Sequence, residues 1–177
     1  DIGRLFGEGI AKKMDQDLLA LFDGFSTAVG TDSAALSAAT IFNAASTLRA
    51  AGLPVDETYC VLHPKVAFDL KSGLTNTFAG LSTDLSNEAL RNGFIGQIAG
   101  IRIFETGNMS NTGTGGDFKG VMFHKDALGL AMMQDLKIET QRDASLRADE
   151  IVATAVYGVG ELHDSYGVEV IADSSIL

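Results

Sequence analysis

QRDASLRADE, residues 141–150, runs directly into IVATAVYGVG, residues 151–160. The first stretch is dense in charges of both signs, and the second predicts a β-strand that is apolar on both faces. Enzymes usually place small polar or nucleophilic side chains where a buried strand meets a loop. This loop instead offers side chains that suit salt bridges to a neighbouring surface, namely Arg142, Asp143, Arg147, Asp149 and Glu150. The pattern therefore predicts assembly with other chains rather than catalysis.

The composition is that of an acidic globular chain of 177 residues. Lysines and arginines number 13 against 23 aspartates and glutamates, which gives a net charge of −10. Such a surface repels phosphates, so we expect no sequence-specific binding of nucleic acid. No apolar run approaches the roughly 20 residues of a membrane-spanning helix. The single cysteine, Cys60, indicates a chain made in a reducing cytoplasm without an internal disulfide.

Helices are predicted from apolar residues that recur every three or four positions. In the first helix, Ile2–Phe25, the stripe consists of Phe6, Ile10, Met14, Leu18 and Phe22. A polar connection over Gly24–Ser37 precedes a second helix at Ala38–Ala51. Pro64 begins a third helix, since proline is favoured at the first helical position, and Leu85–Arg91 is a short fourth.

Strands are predicted where short apolar segments are bounded by turn residues. The predicted segments are Tyr59–Leu62, Phe94–Ile98, Ile101–Glu105, Gly120–His124, Gly129–Met133, Leu136–Thr140 and Val168–Ile171. Ala99 and Gly100 form a tight turn, and Gly107–Asp117 is a loop rich in glycine, asparagine, serine and threonine. Mixed helices and strands of this kind indicate the α+β class.

Motifs for chemistry are weak throughout the sequence. Cys60 and His63 would point to opposite faces of a strand, and the three histidines lack the spacing of metal ligands. The glycines of Gly113–Gly120 and Gly158–Gly160 lack the Lys-Ser/Thr ending or the following helix of a phosphate-binding loop. We therefore predict no catalytic residue, no cofactor and no metal. A site assembled from distant acids and histidines stays open as an alternative.

Four motifs follow one another along the chain: VLHP at 61–64, NGFIGQIAGIRIFE at 92–105, FHKDALG at 123–129 and DEIVATAVYGVGEL at 149–162. Together with the long first helix, they resemble segments of the major capsid proteins of tailed bacteriophages, in the same order. The resemblance covers nearly the whole chain. It implies the Hong Kong 97-type coat fold, with a spine helix and long antiparallel strands in a peripheral domain. The axial domain of this fold holds a mixed sheet with flanking helices.

The resemblance also implies a division of the chain. Residues 1–25 and 134–177 would form the peripheral domain, and residues 26–133 the axial domain around five-fold and six-fold centres. Family members usually carry an N-terminal arm and an extended hairpin before the spine helix. These parts would lie upstream in a longer product, or the chain would be a fragment.

Contact residues follow from the same resemblance. Gln141–Glu150 would lie near three-fold axes, which makes its five charged residues inter-subunit contacts. Asn108, Asn111 and Asp117 would belong to the axial loop.

The function implied is that of a structural subunit that self-assembles into an icosahedral phage head around double-stranded DNA. Its partners would be copies of itself in pentamers and hexamers, with scaffolding, portal or decoration proteins as further candidates. The protein would be made in the bacterial cytoplasm and reside in the virion. The alternatives are a bacterial nanocompartment shell of the same fold and, in a different class, a small soluble hydrolase.

Overall fold

The computed structural model describes residues 2–54, 56–78, 97–109 and 117–176. These residues contain three α-helices, α1 (Ile2–Ala20), α2 (Ala38–Ala50) and α3 (Pro64–Phe78). They also contain eight strands, β1 (Ala28–Ala35), β2 (Thr58–Leu62), β3 (Gln97–Ile98), β4 (Ile101–Glu105), β5 (Asp117–His124), β6 (Leu128–Asp143), β7 (Ala148–Glu161) and β8 (Gly167–Asp173). Short 3-10 helices occur at Leu21–Gly24, Lys125–Ala127 and Asp164–Tyr166.

Two sheets organise these strands. The larger sheet has six strands in the order β1-β8-β5-β2-β4-β3, and it is mixed because β1 runs parallel to β8 and β2 parallel to β4. The smaller sheet is the antiparallel hairpin of β6 and β7. We call the hairpin together with α1 the arm. The architecture confirms the predicted α+β class.

Helices α2 and α3 cover one face of the six-stranded sheet. Ser37 caps α2, because its side chain accepts a hydrogen bond from the Thr40 backbone N–H at 3.4 Å. Ile41 of α2, Leu70 of α3 and Leu62 of β2 have no exposed surface and share one apolar cluster. This cluster is the main core of the chain.

The C-terminal end of α1 covers the opposite face of the same sheet. Phe22, in the 3-10 turn after α1, lies with its ring centre 5.8 Å from Phe25 and 5.1 Å from Phe123. Lys119 of β5 forms ion pairs with Asp23 in the same turn and, at 2.8 Å, with the buried Glu169 of β8. These contacts join the arm to the sheet.

The predicted connection at Gly24–Ser37 is wrong, because it contains β1. The segment has no apolar alternation, and its pairing is made by the backbone against β8 at the sheet edge. Gly30 permits that pairing, since its φ is +91° and a Cβ there would lie 2.1 Å from the Ile171 carbonyl oxygen. Backbone geometry rather than hydrophobicity therefore specifies this strand.

The hairpin also differs from its prediction. The two predicted strands, Gly129–Met133 and Leu136–Thr140, are parts of the continuous β6. Register shifts between Met132 and Gln134, and between Gln134 and Lys137, show that β6 carries extra residues relative to β7. Such bulges lie between the two apolar segments on which the prediction relied.

The other predicted elements have mixed outcomes. The strands at Tyr59–Leu62, Ile101–Glu105 and Gly120–His124, and the three main helices, are confirmed with small changes in length. The predicted helix at Leu85–Arg91 lies outside the described residues, as does most of Phe94–Ile98. The last predicted strand, Val168–Ile171, is confirmed as β8, but it lies in the six-stranded sheet between β1 and β5 and not beside the hairpin.

Candidate assembly interface

One face of the hairpin packs on α1. Alternate residues of β7, including Ile151, Ala153 and Tyr157, are half-buried on this side. The Tyr157 hydroxyl donates a hydrogen bond to Asp17 Oδ2 at 2.6 Å, and Lys13 binds the other oxygen of the same carboxylate at 2.6 Å. The Lys13 ammonium and then the Tyr157 hydroxyl hold the pKa of Asp17 below its usual range. The hydrogen bond between Tyr157 and Asp17 thus joins the hairpin to α1.

The other face of the hairpin is open to solvent. Val152 and Val156 point to this side and are 41% and 44% exposed. The sequence predicted a strand buried on both faces, and this is wrong, because α1 covers one face of the hairpin and no other described element covers the valines on the second face. Lys137 and Glu139 of β6 pair with each other at 2.5 Å, which leaves the polar part of this surface locally neutral. The outer face of the arm is therefore a candidate contact surface.

The predicted charged loop is a tight turn in the structure. Only Ala144–Arg147 lies outside the strands, and the remaining residues of 141–150 are paired across the hairpin. Asp143 Oδ1 accepts hydrogen bonds from Ser145 N at 2.8 Å, Ser145 Oγ at 2.6 Å and Leu146 N at 3.3 Å. The Ser145 hydroxyl first, and then the backbone N–H groups, lower the pKa of Asp143. We call residues 141–150 the tip.

The charges at the tip differ from several lysines elsewhere in the described chain. Lys13, Lys71, Lys119, Lys125 and Lys137 each have a carboxylate partner. At the tip, no ion pair forms among the described residues.

The hairpin register brings two of the tip charges together without pairing them. Arg142 and Asp149 lie directly opposite each other across the strands, and Glu150 lies opposite Gln141. Arg147 follows in the turn. The structure thus gathers the five predicted contact residues at one end of the arm and leaves four of them, all but Asp143, available to other chains.

The predicted axial-loop residues are only partly described. The Asn108 backbone N–H donates to Thr106 Oγ1 at 3.3 Å, at the end of β4. Asp117 begins β5, where it lies opposite Asp173 of β8, so it is a strand residue rather than a loop residue. Asn111 lies outside the described residues. Near this end of the sheet, His63 stacks on Phe118 with ring centres 3.8 Å apart.

A groove of about 380 Å³ lies between α1, the six-stranded sheet and the start of β6. Its lining is mainly apolar, with the side chains of Leu18, Leu19, Phe22, Val61, Phe123, Leu128 and Leu130. Asp15, Lys125 and Thr106 supply its polar atoms. Lys125 is already paired with Glu57 at 2.6 Å, and the mainly apolar lining suits an apolar occupant better than acid–base chemistry.

Chemical reactivity has little support in the described part of the chain. Burial raises the pKa of the Cys60 thiol to about 12, so this sulfur is not a nucleophile at neutral pH. Within residues 2–54, 56–78, 97–109 and 117–176, no three histidine, cysteine or acidic side chains are placed to share a metal ion. None of the described helices has the length and apolar character to cross a membrane.

Leu146 is a contact candidate that the sequence reasoning missed. It is the large apolar side chain at the tip and is 76% exposed. Its signal is visible in the sequence as a lone leucine inside the charged run 141–150. The charges drew the interpretation towards salt bridges, although an exposed apolar residue among charges is also a mark of binding sites.

Comparison with known proteins identifies the family. A family model described as phage capsid protein matches residues 1–171. None of the curated proteins is significantly similar in sequence.

Solved structures agree with this family. A structure from Mycobacterium phage Che8 is 28% identical, with a TM-score of 0.78 over 96% of this chain and 61% of that one. The capsid structure of the cyanophage P-SCSP1u is 20% identical, with a TM-score of 0.70 over 96% and 64%. The holo-SrpI encapsulin complex of Synechococcus elongatus is 12% identical, with a TM-score of 0.73 over 98% and 65%.

These likenesses confirm the Hong Kong 97-type coat fold that the sequence motifs implied. The chain spans less than two thirds of the length of each of these three structures. Because the family model extends over almost all of the sequence, the assignment does not depend on the more distant likenesses. The chain belongs to the phage capsid protein family.

Proposed function

We propose that this chain is the shell-forming part of a major capsid protein, which self-assembles into an icosahedral phage head around double-stranded DNA. Copies of the protein form pentamers and hexamers, and the assembled protein resides in the virion after synthesis in the bacterial cytoplasm. Scaffolding, portal or decoration proteins are its further candidate partners.

The observation that carries this proposal is the half-covered arm. A two-stranded hairpin is marginally stable alone, and α1 packs on only one of its faces. The outer face exposes Val152 and Val156, and the tip carries charges without partners in the described chain. Neighbouring copies would cover the valines and pair the charges.

Repetition of these weak contacts would make them sufficient to hold a shell together. An exposed ion pair contributes only about 0.2–1 kcal/mol. The same contact recurs at every equivalent position in a closed shell, so the individual contributions accumulate cooperatively. We place Arg142, Arg147, Asp149 and Glu150 in these inter-subunit contacts.

We also propose a two-domain division close to the one implied by the sequence. The peripheral domain comprises α1 and the hairpin. The axial domain comprises residues 26–127 and, in addition, β8, whose pairing with β1 and β5 supports moving it out of the peripheral domain. Asn108 and Asn111 belong to the axial loop, whereas Asp117 begins a strand.

The role is structural rather than catalytic. The deeply buried Cys60 thiol and the mostly apolar lining of the groove both support a chain whose function is contact. The acidic net charge of −10 supports enclosure of DNA without sequence-specific binding.

The nanocompartment shell is the second candidate function, and the groove beside α1 favours it. A groove of about 380 Å³ with an apolar lining could hold a short apolar peptide of an enclosed protein. The contents of the particle separate this candidate from a phage head.

Electron microscopy of the full-length protein tests the proposal. We expect closed icosahedral particles, and particles purified from infected cells should protect DNA from nuclease. Particles that hold protein cargo and no DNA would support the nanocompartment. A monomer at all concentrations, with a small molecule bound in the groove, would refute both.

A further inference from the structure

The apex of the hairpin presents a leucine surrounded by charges. We propose that Leu146 is the apolar anchor through which the tip of one copy docks against the tip of a second copy, and that Asp143 positions this anchor. The inference rests on the proposed function, because it specifies which atoms of the tip make the contact between coat subunits.

The turn holds Leu146 in place before any partner arrives. Asp143 Oδ1 accepts hydrogen bonds from the backbone N–H groups of Ser145 and Leu146, at 2.8 and 3.3 Å, and from the Ser145 hydroxyl at 2.6 Å. A side chain on an ordered turn loses less conformational entropy on binding than one on a loose loop. The Asp143 carboxylate therefore acts within its own turn.

The residue after Leu146 fixes the direction of the apex. Arg147 has a φ of +52°, in the left-handed region that residues other than glycine rarely adopt. Such a conformation costs free energy and persists where the surrounding contacts enforce it, often at functional positions. Here it reverses the chain directly behind Leu146, whose side chain is 76% exposed.

The charges around Leu146 select a second copy as the partner. The tip carries Arg142 and Arg147 together with Asp149 and Glu150, and these side chains form no ion pair within the described chain. A surface that offers both signs can be satisfied by an identical surface in a different orientation.

Burial of Leu146 and the ion pairs around it would contribute unequally to the contact, and this difference assigns the anchor role to Leu146. Rim ion pairs in solvent are weak, whereas burial of a leucine removes a large apolar area from water. An apolar centre within a polar rim is also the usual arrangement of an interface hot spot. The charges orient the contact, and Leu146 supplies most of its strength.

The first experiment compares Leu146→Ser with Leu5→Ser in the full-length coat protein. Leu5 is the matched control, because it is 63% exposed and lies on α1, outside the residues 141–150 of the tip. We expect Leu146→Ser to raise the protein concentration at which shells appear by about tenfold or more, the effect of losing roughly one buried leucine per contact. Leu5→Ser should assemble like the wild type. Thermal unfolding of unassembled subunits should be unchanged in both variants.

The second experiment separates positioning by Asp143 from pairing with a neighbour. Asparagine can still accept the turn hydrogen bonds through its side-chain oxygen but carries no charge. We expect Asp143→Asn to assemble like the wild type, whereas Asp143→Ala should raise the assembly concentration. If Asp143→Asn is as impaired as Asp143→Ala, the charge is needed and the positioning role is wrong.

The outcomes also distinguish this inference from the proposed function. If the wild type forms no shells, the proposed function fails. If the wild type forms shells and Leu146→Ser assembles as readily, or if Leu5→Ser is impaired to the same extent, the capsid function stands and the anchor role is refuted.

Discussion

The six-stranded sheet and the arm differ in how completely each is covered within one chain. In β8, Val168, Val170 and Ala172 lie on the face covered by α2 and α3 and are each 1% exposed. On the opposite face, Val121 of β5 packs in one cluster with Phe22 at the end of α1 and has no exposed surface. In the arm, α1 covers one face of the hairpin, and nearly every residue of β6 beyond Gly129 is exposed. The sheet is stabilised by its own chain, whereas the outer face of the arm stays exposed, and we propose that neighbouring copies cover it.

This difference separates stability from assembly. Substitutions in the sheet should change the free energy of unfolding of the subunit, while substitutions on the outer face of the arm should change association. The junction between the two regions, where Lys119 pairs with Asp23 and Glu169, should affect both.

The largest effect is expected in the core of the sheet. Leu62→Ala removes a side chain with no exposed surface that packs between β5 and the helices. We expect it to lower the free energy of unfolding by about 2–5 kcal/mol, measured by chemical denaturation of unassembled subunits.

Leu146→Ala is the matched control for the core variant. The same chemical change at the exposed tip should alter the free energy of unfolding by less than about 0.5 kcal/mol. Equal losses for the two variants would contradict the contrast between the sheet and the arm.

The junction should give the next largest effect. Lys119→Met leaves the Glu169 carboxylate, which is 8% exposed, without its cation. We expect a loss of about 2 kcal/mol, because the buried carboxylate keeps its desolvation cost after its partner is removed. The double variant Lys119→Met/Glu169→Gln should lose less than the single one, and a larger loss would refute the pairing.

The raised pKa of Lys119 predicts that the stability of the subunit depends on pH in the alkaline range. Asp23 first, and then Glu169, raise the pKa of Lys119 above its ordinary 10.5. A raised pKa means that the stabilisation is fully present below pH 10.5 and is lost as the pH rises through the folded-state value. The difference in stability between the wild type and Lys119→Met should therefore shrink only above pH 10.5. A difference that is already lost near neutral pH would argue against the ion pairs.

Low pH should weaken the hydrogen bonds of Asp17 and Asp164, which attach the hairpin to the rest of the chain. Hydrogen bonds lower the pKa of Asp17, through Lys13 and Tyr157, and that of Asp164, through Ser26. A lowered pKa means that the stabilisation is present above the ordinary value of 3.8 and is lost as the pH falls through the lower folded-state value. The protection factors of β7, which compare its hydrogen exchange with that of an unfolded chain at the same pH, should fall below pH 3.8, and a fall near pH 6 would point to a different group.

Tyr157→Phe should produce the smallest effect. The variant keeps the ring on α1 but removes the hydroxyl that donates to Asp17. We expect faster hydrogen exchange in β7, little change in the six-stranded sheet and a small decrease in Tm. Accelerated exchange in β2 and β5 would show that the arm and the sheet unfold together.

Much of the sheet could be predicted from the sequence because its elements are locally encoded. Pro64 begins α3, and the apolar spacing of Ile41, Ala45 and Leu48 identifies the buried face of α2. The order of the capsid-like motifs predicted the fold, whereas the periodicity of apolar residues predicted only individual helices. The missed β1 shows the limit, since Gly30 and backbone pairing with a distant strand define it.

The arm was harder to predict for a physical reason. Its apolar strand β7 has the pattern of a buried strand, and the burial by other copies that we propose would leave the same pattern as burial by the chain itself. The sequence therefore indicated burial of Val152 and Val156, which the described part of the chain does not provide. At the tip, hydrogen bonds between Asp143 and its own turn, together with the exposure of Leu146, became visible only in three dimensions.

Hydrogen exchange compared between assembled particles and unassembled subunits of the full-length protein tests the central claim most directly. We predict that peptides from β6, the tip and β7 gain strong protection on assembly. Peptides from β2 and β5, which are already covered within one chain, should change little. Unchanged exchange in residues 128–161 of assembled particles would contradict the account, because the half-covered arm would then not be completed by its neighbours.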